Sequence, residues 1–160
     1  MIRPASASDS PAIAEIYNYY IANTIITFEE ILIDAEEMQQ RIESTQAKHC
    51  WLVYEQDDEL LGYAYSGPWR PRSAYRYAVE STVYLDPDSG GRGIGTALYQ
   101  ALIKQAEQQN YHTVIGAIAL PNAASIALHE KLGFKKIAHL KDVGFKFDRR
   151  IDVGYWQLML

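Results

Sequence analysis

The chain has 160 residues, and 48% of them are hydrophobic, which is enough to fill the core of one globular domain over residues 1–160. Its 15 lysines and arginines against 20 aspartates and glutamates give a formal net charge of −5, so we expect no nucleic-acid partner, because such a partner needs a basic surface. The chain has a lone cysteine, so we expect no disulfide within the chain and no paired-cysteine metal site. No apolar run approaches the ~18 residues of a membrane span, so we expect no membrane contact. Since the sequence also lacks an apolar leader, we expect a cytoplasmic protein.

The first half of the chain predicts two helices and then a run of strands. Residues 1–5 predict a short strand, and residues 8–10 supply oxygens that can cap a helix with apolar residues at helical spacing. Asp34 can cap a second helix over residues 35–46. Three runs rich in β-branched and aromatic residues predict an antiparallel meander, with Asp57 and Asp58 as the turn between the first two. These runs are residues 49–56, 59–67 and 77–86.

The second half predicts a strand-helix-strand unit followed by a short helix and two strands. Asp86-Pro87 ends the preceding strand, and apolar residues at helical spacing then continue from Ile94 to Ala106. A strand follows at residues 112–120, and the crossover between the two strands should be right-handed. A helix ending at Gly133 comes next. Residues 134–140 and 152–160 predict strands, and the segment between them is a loop or a hairpin. The fold class is therefore α/β (α+β), with a mixed, mostly antiparallel sheet and flanking helices.

A glycine-rich segment, SGGRGIGTAL, lies between the third strand of the meander and the long helix, at residues 89–98. Unpaired N–H groups at a helix N-terminus bind phosphate, and glycines let the backbone approach it closely. Arg92 adds positive charge. A plain glycine-rich turn is an equally good interpretation of the pattern alone. The segment matches neither the P-loop nor the G-x-G-x-x-G pattern of dinucleotide sites.

With its surroundings the segment is similar to a known superfamily. The meander, then VYLDPDSGGRGIGTALYQALIKQA, then LPNAASIALHEKLGF, resembles the GNAT superfamily of acetyl-CoA-dependent N-acetyltransferases over essentially the whole chain. The motifs SGPWRPRSAYRYAVESTVYLDP and GFKFDRRIDVGYWQL make it similar to the branch that acetylates phosphinothricin and methionine sulfone or sulfoximine. Gly90 departs from the family pattern, which has Arg or Gln there, so backbone amides carry more of the expected phosphate contact.

The resemblance implies acetyl-CoA as cosubstrate, no metal, and a splay between the strand carrying STVY and the strand at residues 112–120 that admits the cosubstrate. Backbone N–H groups of the STVY strand would meet the thioester carbonyl and the pantetheine arm. The cofactor-binding residues implied in this way are Val83, Tyr84, Leu85, Gly90, Gly91, Arg92, Gly93, Ile94, Gly95, Thr96, Asn122 and Ser125.

Glu80 is the candidate general base. Acetyl transfer requires a free amine, although aliphatic amines are mostly protonated at neutral pH, so a base must take the proton. Glu80 is a single carboxylate in an otherwise apolar strand, and burial would raise its pKa above the reference value of about 4.3. The resemblance implies the same role, acting directly or through water. The alternatives are an exposed glutamate or one that is paired with an arginine.

The candidate acceptor pocket draws on two loops. Arg70 and Arg72 flank Pro71, and guanidinium groups match carboxylate, phosphinate or sulfonyl oxygens with paired hydrogen bonds. The resemblance implies that they form the amino-acid pocket together with Tyr75, whereas a solvated basic loop is the alternative. The resemblance also implies that the loop after the first helix binds the acceptor, with Phe28 as a pocket wall.

Two residues of the last helix have both functional and structural interpretations. Asn122 is well placed as an N-cap, and the resemblance also implies that it contacts the pantetheine arm. His129 stands where many superfamily members have a tyrosine that protonates the departing thiolate, and proton transfer from imidazole to a thiolate is feasible. The alternative for His129 is packing beside the cofactor. Cys50 is expected to be a buried strand residue without a catalytic role.

The tail bears on the acceptor. Some members of the branch that act on phosphinothricin carry histidines at the positions of Phe147 and Ile151, so the acceptor stays open among methionine sulfone, methionine sulfoximine, phosphinothricin and another metabolite. The alternatives are a GNAT enzyme acting on a polyamine or a peptide N-terminus, and a non-catalytic module that senses acetyl-CoA. The resemblance also implies a homodimer.

Overall fold

The computed structural model describes all 160 residues, which form seven strands and four helices. The chain begins with a strand and two helices, continues with three strands, and then alternates helix and strand before a final pair of strands. The strands are β1 Ile2–Pro4, β2 Trp51–Gln56, β3 Glu59–Pro68, β4 Ala78–Leu85, β5 Thr113–Leu120, β6 Lys135–Lys146 and β7 Arg149–Met159. The helices are α1 Ser10–Asn23, α2 Ala35–Gln46, α3 Ile94–Gln108 and α4 Ala123–Lys131.

All seven strands lie in one sheet, in the order β1-β2-β3-β4-β5-β7-β6. Only β4 and β5 are parallel, and every other neighbouring pair is antiparallel. This confirms the predicted mixed, mostly antiparallel sheet and the crossover through α3, because parallel neighbours require a long connection.

The helices cover both faces of the sheet because side chains alternate along the strands. In β2, Trp51 and Val53 pack in a cluster with residues of α1 and α2, such as Ile13 and Met38. The intervening Leu52 points the other way and packs with α3 residues. None of the four helices is long and apolar enough to cross a membrane.

The parallel pair separates halfway along its length. β4 and β5 pair at only three positions, the last of which joins Glu80 to Ile115. Beyond this point β4 stays paired with β3 as far as Leu85, and β5 stays paired with β7 as far as Leu120. The two strands therefore diverge after Glu80 and leave a wedge between them, which confirms the predicted splay.

Most of the predicted turns and caps are confirmed. The Asp34 carboxylate accepts a hydrogen bond from the Glu37 N–H at 2.8 Å and so caps α2. Asp57 and Asp58 form the β2–β3 turn with φ values of 53° and 64°. Gly133 ends the α4 segment with φ 90°. One expectation was wrong, because no side chain of residues 8–10 caps α1. The Asp9 carboxylate accepts instead from Arg3 at 2.7 and 2.8 Å and from the Ser6 N–H at 2.7 Å, in the turn that precedes the helix.

The segment at residues 141–151, for which a loop and a hairpin were both open, is a hairpin. β6 continues to Lys146, and β7 begins at Arg149. A two-residue turn of Phe147 and Asp148 joins them, with φ values of 53° and 56°. Both residues take the left-handed conformation that such tight turns require.

Candidate active site

A cavity of about 490 Å³ opens where β4 and β5 separate. Its walls come from the α1–α2 loop, from β4 and β5 beyond their last pair, and from α4. The cavity therefore brings together residues that are far apart in sequence. The predicted site residues that line it are Phe28, Glu80, Val83, Tyr84, Asn122, Ser125 and His129.

Glu80 lies at the apex of the wedge, as the last residue of β4 that pairs with β5. Its side chain is half-buried and makes no salt bridge within the chain. Burial raises the pKa of the Glu80 carboxyl above its ordinary value, and the positive charge of Arg70 opposes this rise. The carboxylate therefore faces the cavity unpaired and is able to accept a proton.

His129 belongs to a buried chain of hydrogen bonds beside Glu80. His129 Nδ1 lies 2.7 Å from the Ser125 carbonyl oxygen, and because a carbonyl only accepts, Nδ1 carries the proton. The Tyr99 hydroxyl then donates to His129 Nε2 at 2.9 Å, and the Ser81 hydroxyl donates to Tyr99. Burial lowers the pKa of His129, which the hydrogen bond to Ser125 opposes. The imidazole is therefore neutral, and both ring nitrogens have hydrogen-bond partners, so Nε2 can donate to a bound molecule only when it gives up its hydrogen bond to Tyr99.

Gly116 makes room for this chain of hydrogen bonds. A Cβ atom at this position of β5 would lie 2.3 Å from His129 Nε2 and 3.4 Å from the Tyr99 hydroxyl. Neither ring has space to withdraw, because Tyr99 is fully buried and His129 is 4% exposed. Glycine at this position is therefore a requirement of the site.

Sequence reasoning missed Tyr99 and Ser81. Tyr99 follows Leu98 on the buried face of α3, where the helical pattern of aliphatic residues predicts a core residue and no functional role. A buried tyrosine needs a partner for its hydroxyl, so a tyrosine on the core face of a helix was the available signal. No such signal marks Ser81, because its role depends on contacts with other elements.

Asn122 fulfils its structural role as a cap. Its side-chain oxygen accepts from the Ser125 N–H at 3.1 Å, at the start of α4. Its amide N–H₂ group has no hydrogen-bond partner in the chain, and the residue lines the cavity. The side chain can therefore cap the helix and still donate to a bound molecule.

The glycine-rich segment lies outside the cavity, between the end of β4 and the start of α3. Gly91 and Gly93 have φ values of 74° and 80°, which favour glycine. A Cβ atom at Gly90, Gly91 or Gly93 would meet nothing within 4 Å, so their backbone is open to a ligand. Arg92 is exposed and donates to the Gln56 side chain at 3.2 Å. Since the first N–H groups of a helix lack intrahelical partners, the segment has the form of an anion cradle.

The remaining predicted cofactor-binding residues lie along the same path. Leu85 ends β4, and its carbonyl oxygen accepts from the Tyr20 hydroxyl at 2.7 Å. Ile94 and Gly95 are buried in the first turn of α3, and Thr96 is partly exposed there. The chain therefore leads from Glu80 along β4 to Leu85 and then through the glycine-rich segment to the N-terminus of α3.

The structure does not bring Arg70, Arg72 and Tyr75 into the cavity. All three are exposed in the segment between β3 and β4. The Arg70 guanidinium lies over the Trp69 ring at 4.1 Å, although it is near enough to affect the pKa of Glu80. Their part in acceptor binding stays a prediction.

The cavity has acidic rather than basic walls. Glu29 and Glu80 line it, and no lysine or arginine does. Glu29 is engaged by Arg41 at 2.7 Å. Phe28 is 40% exposed at the cavity wall, and the neighbouring Thr27 hydroxyl bonds the Tyr17 hydroxyl at 2.8 Å.

Comparison with known proteins identifies the fold and the activity. Residues 2–154 match the family model of the acetyltransferase (GNAT) domain. This chain belongs to the GNAT acetyltransferase family. It is 40% identical over 162 residues to the L-methionine sulfoximine/L-methionine sulfone acetyltransferase of Pseudomonas aeruginosa, over 99% of this chain and 94% of that one. It is 39% identical over 156 residues to the phosphinothricin N-acetyltransferase of Streptomyces viridochromogenes, over 98% and 85%.

A solved GNAT structure shows the same fold with the cosubstrate present. The phosphinothricin acetyltransferase of Sinorhizobium meliloti, in complex with acetyl-CoA, superposes with a TM-score of 0.96 and 34% identity, over 100% of this chain and 88% of that one. The protein is an acetyl-CoA-dependent GNAT N-acetyltransferase of the phosphinothricin/methionine sulfoximine type. The divergent strands and the open glycine cradle fit a long cosubstrate with a diphosphate. No group of three or more His, Cys, Asp or Glu side chains is arranged to hold a metal ion.

Proposed function

We propose that this enzyme transfers the acetyl group of acetyl-CoA directly to the α-amine of a small amino-acid-like acceptor, with Glu80 as general base. The acceptor class is that of methionine sulfone, methionine sulfoximine and phosphinothricin, after which the two relatives are named. The observation that carries the proposal is an unpaired, half-buried carboxylate with a raised pKa at the apex of the wedge between β4 and β5.

Glu80 solves the protonation problem of the acceptor. An ammonium group that enters the cavity loses its proton to the carboxylate, and the resulting amine attacks the thioester carbonyl. A raised pKa makes Glu80 a stronger base than an exposed glutamate, while the charge of Arg70 keeps it ionised. When bound, acetyl-CoA supplies the acetyl group as a thioester. Beyond Glu80, the edge of β4 that faces β5 is unpaired, and its backbone groups are free to hold the cosubstrate.

His129 is the proposed proton source for the departing thiolate. In its imidazolium form the Nε2–H bond breaks and an S–H bond forms, which returns the imidazole to its neutral state. For this transfer His129 takes up a proton from solvent, and its Nε2–H exchanges the hydrogen bond to Tyr99 for one to the departing sulfur. The Tyr99 hydroxyl is then free to donate to Ser81. The Ser81 hydroxyl then donates to the Ile115 carbonyl, which lies 3.4 Å away. The low pKa of His129 makes the imidazolium scarce but strongly acidic.

A polyamine is the second candidate acceptor. Two carboxylates, Glu29 and Glu80, line the cavity without a basic side chain, and such a lining suits a substrate with several ammonium groups. Arg70 and Arg72 would then have no part in binding. This candidate and the first differ in the acceptor and share the base.

Thiol release from acetyl-CoA tests the proposal across a panel of acceptors. The panel contains free amino acids, methionine sulfone, methionine sulfoximine, phosphinothricin, polyamines and short peptides. We expect turnover on the oxidised-methionine or phosphinothricin set, and a loss of about 10²-fold or more in Glu80→Gln. Glu29→Gln is the matched control, since it makes the same change in the same cavity at a carboxylate that Arg41 already engages.

The panel separates the outcomes. Activity confined to polyamines, weakened by Glu29→Gln, overturns the amino-acid assignment and keeps the base. Full activity of Glu80→Gln overturns the assignment of Glu80 as the general base. Activity confined to peptides removes both small-acceptor candidates.

We also propose that the enzyme is a homodimer in the cytoplasm. β6 is the edge strand of the sheet, and its side chains Ile137, Val143 and Phe145 are more than half exposed, at 52%, 57% and 54%. An apolar sheet edge of this kind is a typical interface. Light scattering coupled to gel filtration should give twice the chain mass of 18.2 kDa, and a monomer would overturn the proposal.

A further inference from the structure

Lys146, at the end of β6, is buried to a degree that is rare for a lysine. Only 2% of its surface is exposed, and lysines are almost never so buried unless they are paired. Its ammonium makes no salt bridge. The one hydrogen bond that it makes within the chain is to the Thr27 carbonyl, at 2.9 Å. Burial lowers its pKa, against the charge of Glu30.

The contact joins two segments with no local reason to meet. Thr27 and Lys146 are 119 positions apart, and the Thr27 side chain is buried against Tyr17 in α1. The α1–α2 loop, residues 24–34, is therefore held from inside by Tyr17 and from β6 by Lys146. Since Thr27 and Phe28 both line the cavity, this attachment fixes part of the cavity wall.

Gly144 supplies a second, independent contact between β6 and the same loop. A Cβ atom at Gly144 would lie 2.4 Å from the far end of the Phe28 ring. The ring therefore rests directly on the backbone of β6, at a place where any side chain would push it away. Gly144 has no positive φ, so close approach of the ring is the reason for glycine here.

We propose that Lys146 and Gly144 are positioning residues that set the place of Phe28 in the cavity wall and thereby determine which acceptor side chains fit. The inference rests on the proposed function, because it concerns the acceptor end of the same cavity. Lys146 holds the backbone of the loop one residue before Phe28, and Gly144 sets the depth of the ring.

Two variants test the positioning role. Gly144→Ala displaces the ring at its movable end, and Lys146→Met removes the hydrogen bond to Thr27 with little change of shape. In each variant we expect the ratio of kcat/KM for methionine sulfone to that for glycine to change about tenfold, because small misplacements in a site have effects of this order. The KM for acetyl-CoA should stay within about twofold, since the cosubstrate lies along β4 and α3. Lys141→Met, on the exposed part of β6, is the control and should change neither quantity.

A double-mutant cycle with Phe28→Ala shows whether the effect passes through the ring. If Phe28 mediates it, Gly144→Ala and Lys146→Met change the acceptor ratio no further in the Phe28→Ala background. Additive effects, or an equal loss for all acceptors together with a raised acetyl-CoA KM, would overturn the proposal.

A readout without catalysis separates this inference from the proposed function. The chain has four phenylalanines, so 4-fluorophenylalanine labelling gives a ¹⁹F spectrum in which the Phe28→Tyr variant assigns the Phe28 signal. The chemical shift of that signal should change in Gly144→Ala and Lys146→Met. The chemical shift of the buried Phe134 should stay unchanged and so show that the core is intact. An unmoved Phe28 signal overturns the inference even if the enzyme acetylates every acceptor. A shifted signal in a wild type that acetylates none of the small acceptors supports the positioning of the ring and overturns its role in acceptor choice.

Discussion

The two ends of the active-site cavity are built on different principles. The end where we propose that acetyl-CoA binds consists of regular elements, β4, β5, α3 and α4. These are fixed by sheet pairing and by the buried hydrogen-bond chain from Ser81 to Ser125. The end where we propose that the acceptor binds is formed by a loop, which side chains of α1, α2 and β6 hold in place. The loop can therefore change without disturbing the wedge, and the relatives are named for different acceptors.

The largest effect on the cosubstrate end is expected from His129→Ala. If His129 protonates the departing thiolate, kcat should fall by roughly 10²-fold at pH 7. The loss should shrink as the pH rises past about 8.5, the ordinary pKa of a thiol, because the thiolate then needs no proton to leave. The measurement is the ratio of wild-type to variant kcat between pH 6.5 and 9.5.

A loss that stays constant with pH would identify His129 as a packing residue. The KM for acetyl-CoA would then carry much of the change, because α4 lines the cavity.

The next largest effect is expected from Gly116→Ala, which tests whether His129 and Tyr99 are rigidly packed. In Gly116→Ala the new Cβ atom meets His129 Nε2 at 2.3 Å, and overpacking of this kind costs about 1–3 kcal/mol. We expect a lower Tm and weaker acetyl-CoA binding, measured by differential scanning fluorimetry and calorimetry. Gly67→Ala in β3 is the control, since a Cβ atom there meets nothing within 4 Å.

If Gly116→Ala behaves like Gly67→Ala, the His129–Tyr99 pair is free to move. The contrast between the two ends of the cavity would then be lost.

The smallest effect is expected from Arg70, whose positive charge acts on the pKa of Glu80. Arg70 lowers the pKa of Glu80 against the rise caused by burial, so Arg70→Met should raise that pKa further. Since Glu80 acts as a base only when it is ionised, the acid limb of kcat/KM should move to higher pH, by less than about one unit for an exposed charge. Both enzymes are measured with the same acceptor, so the titration of the acceptor amine contributes equally to the two pH profiles. Arg72→Met is the matched control.

An acid limb that does not move would show that Arg70 has no electrostatic contact with the base. A move to lower pH would contradict the assignment of that limb to Glu80.

The sequence was most informative where local patterns determine the structure. Alternation in β2 to β4, the cap at Asp34 and the glycine at 133 predicted the elements, and the motifs around Glu80 and Asn122 predicted residues that meet in the cavity. Contacts over long sequence distances left no such pattern. Lys146 reads as one more charged residue, and the burial of its side chain beside Thr27 depends on the path of the whole sheet. The opposite case is the segment between β3 and β4. The chemistry of Arg70, Arg72 and Tyr75 suits an amino-acid pocket, but their side chains do not line the cavity.

The most direct test of the account is a crystal structure of the enzyme with CoA and methionine sulfone bound together. The account predicts that the acceptor nitrogen lies within about 3 Å of the Glu80 carboxylate, between the divergent ends of β4 and β5. A nitrogen bound at Glu29, or outside the cavity beside Arg72 and Tyr75, would contradict it.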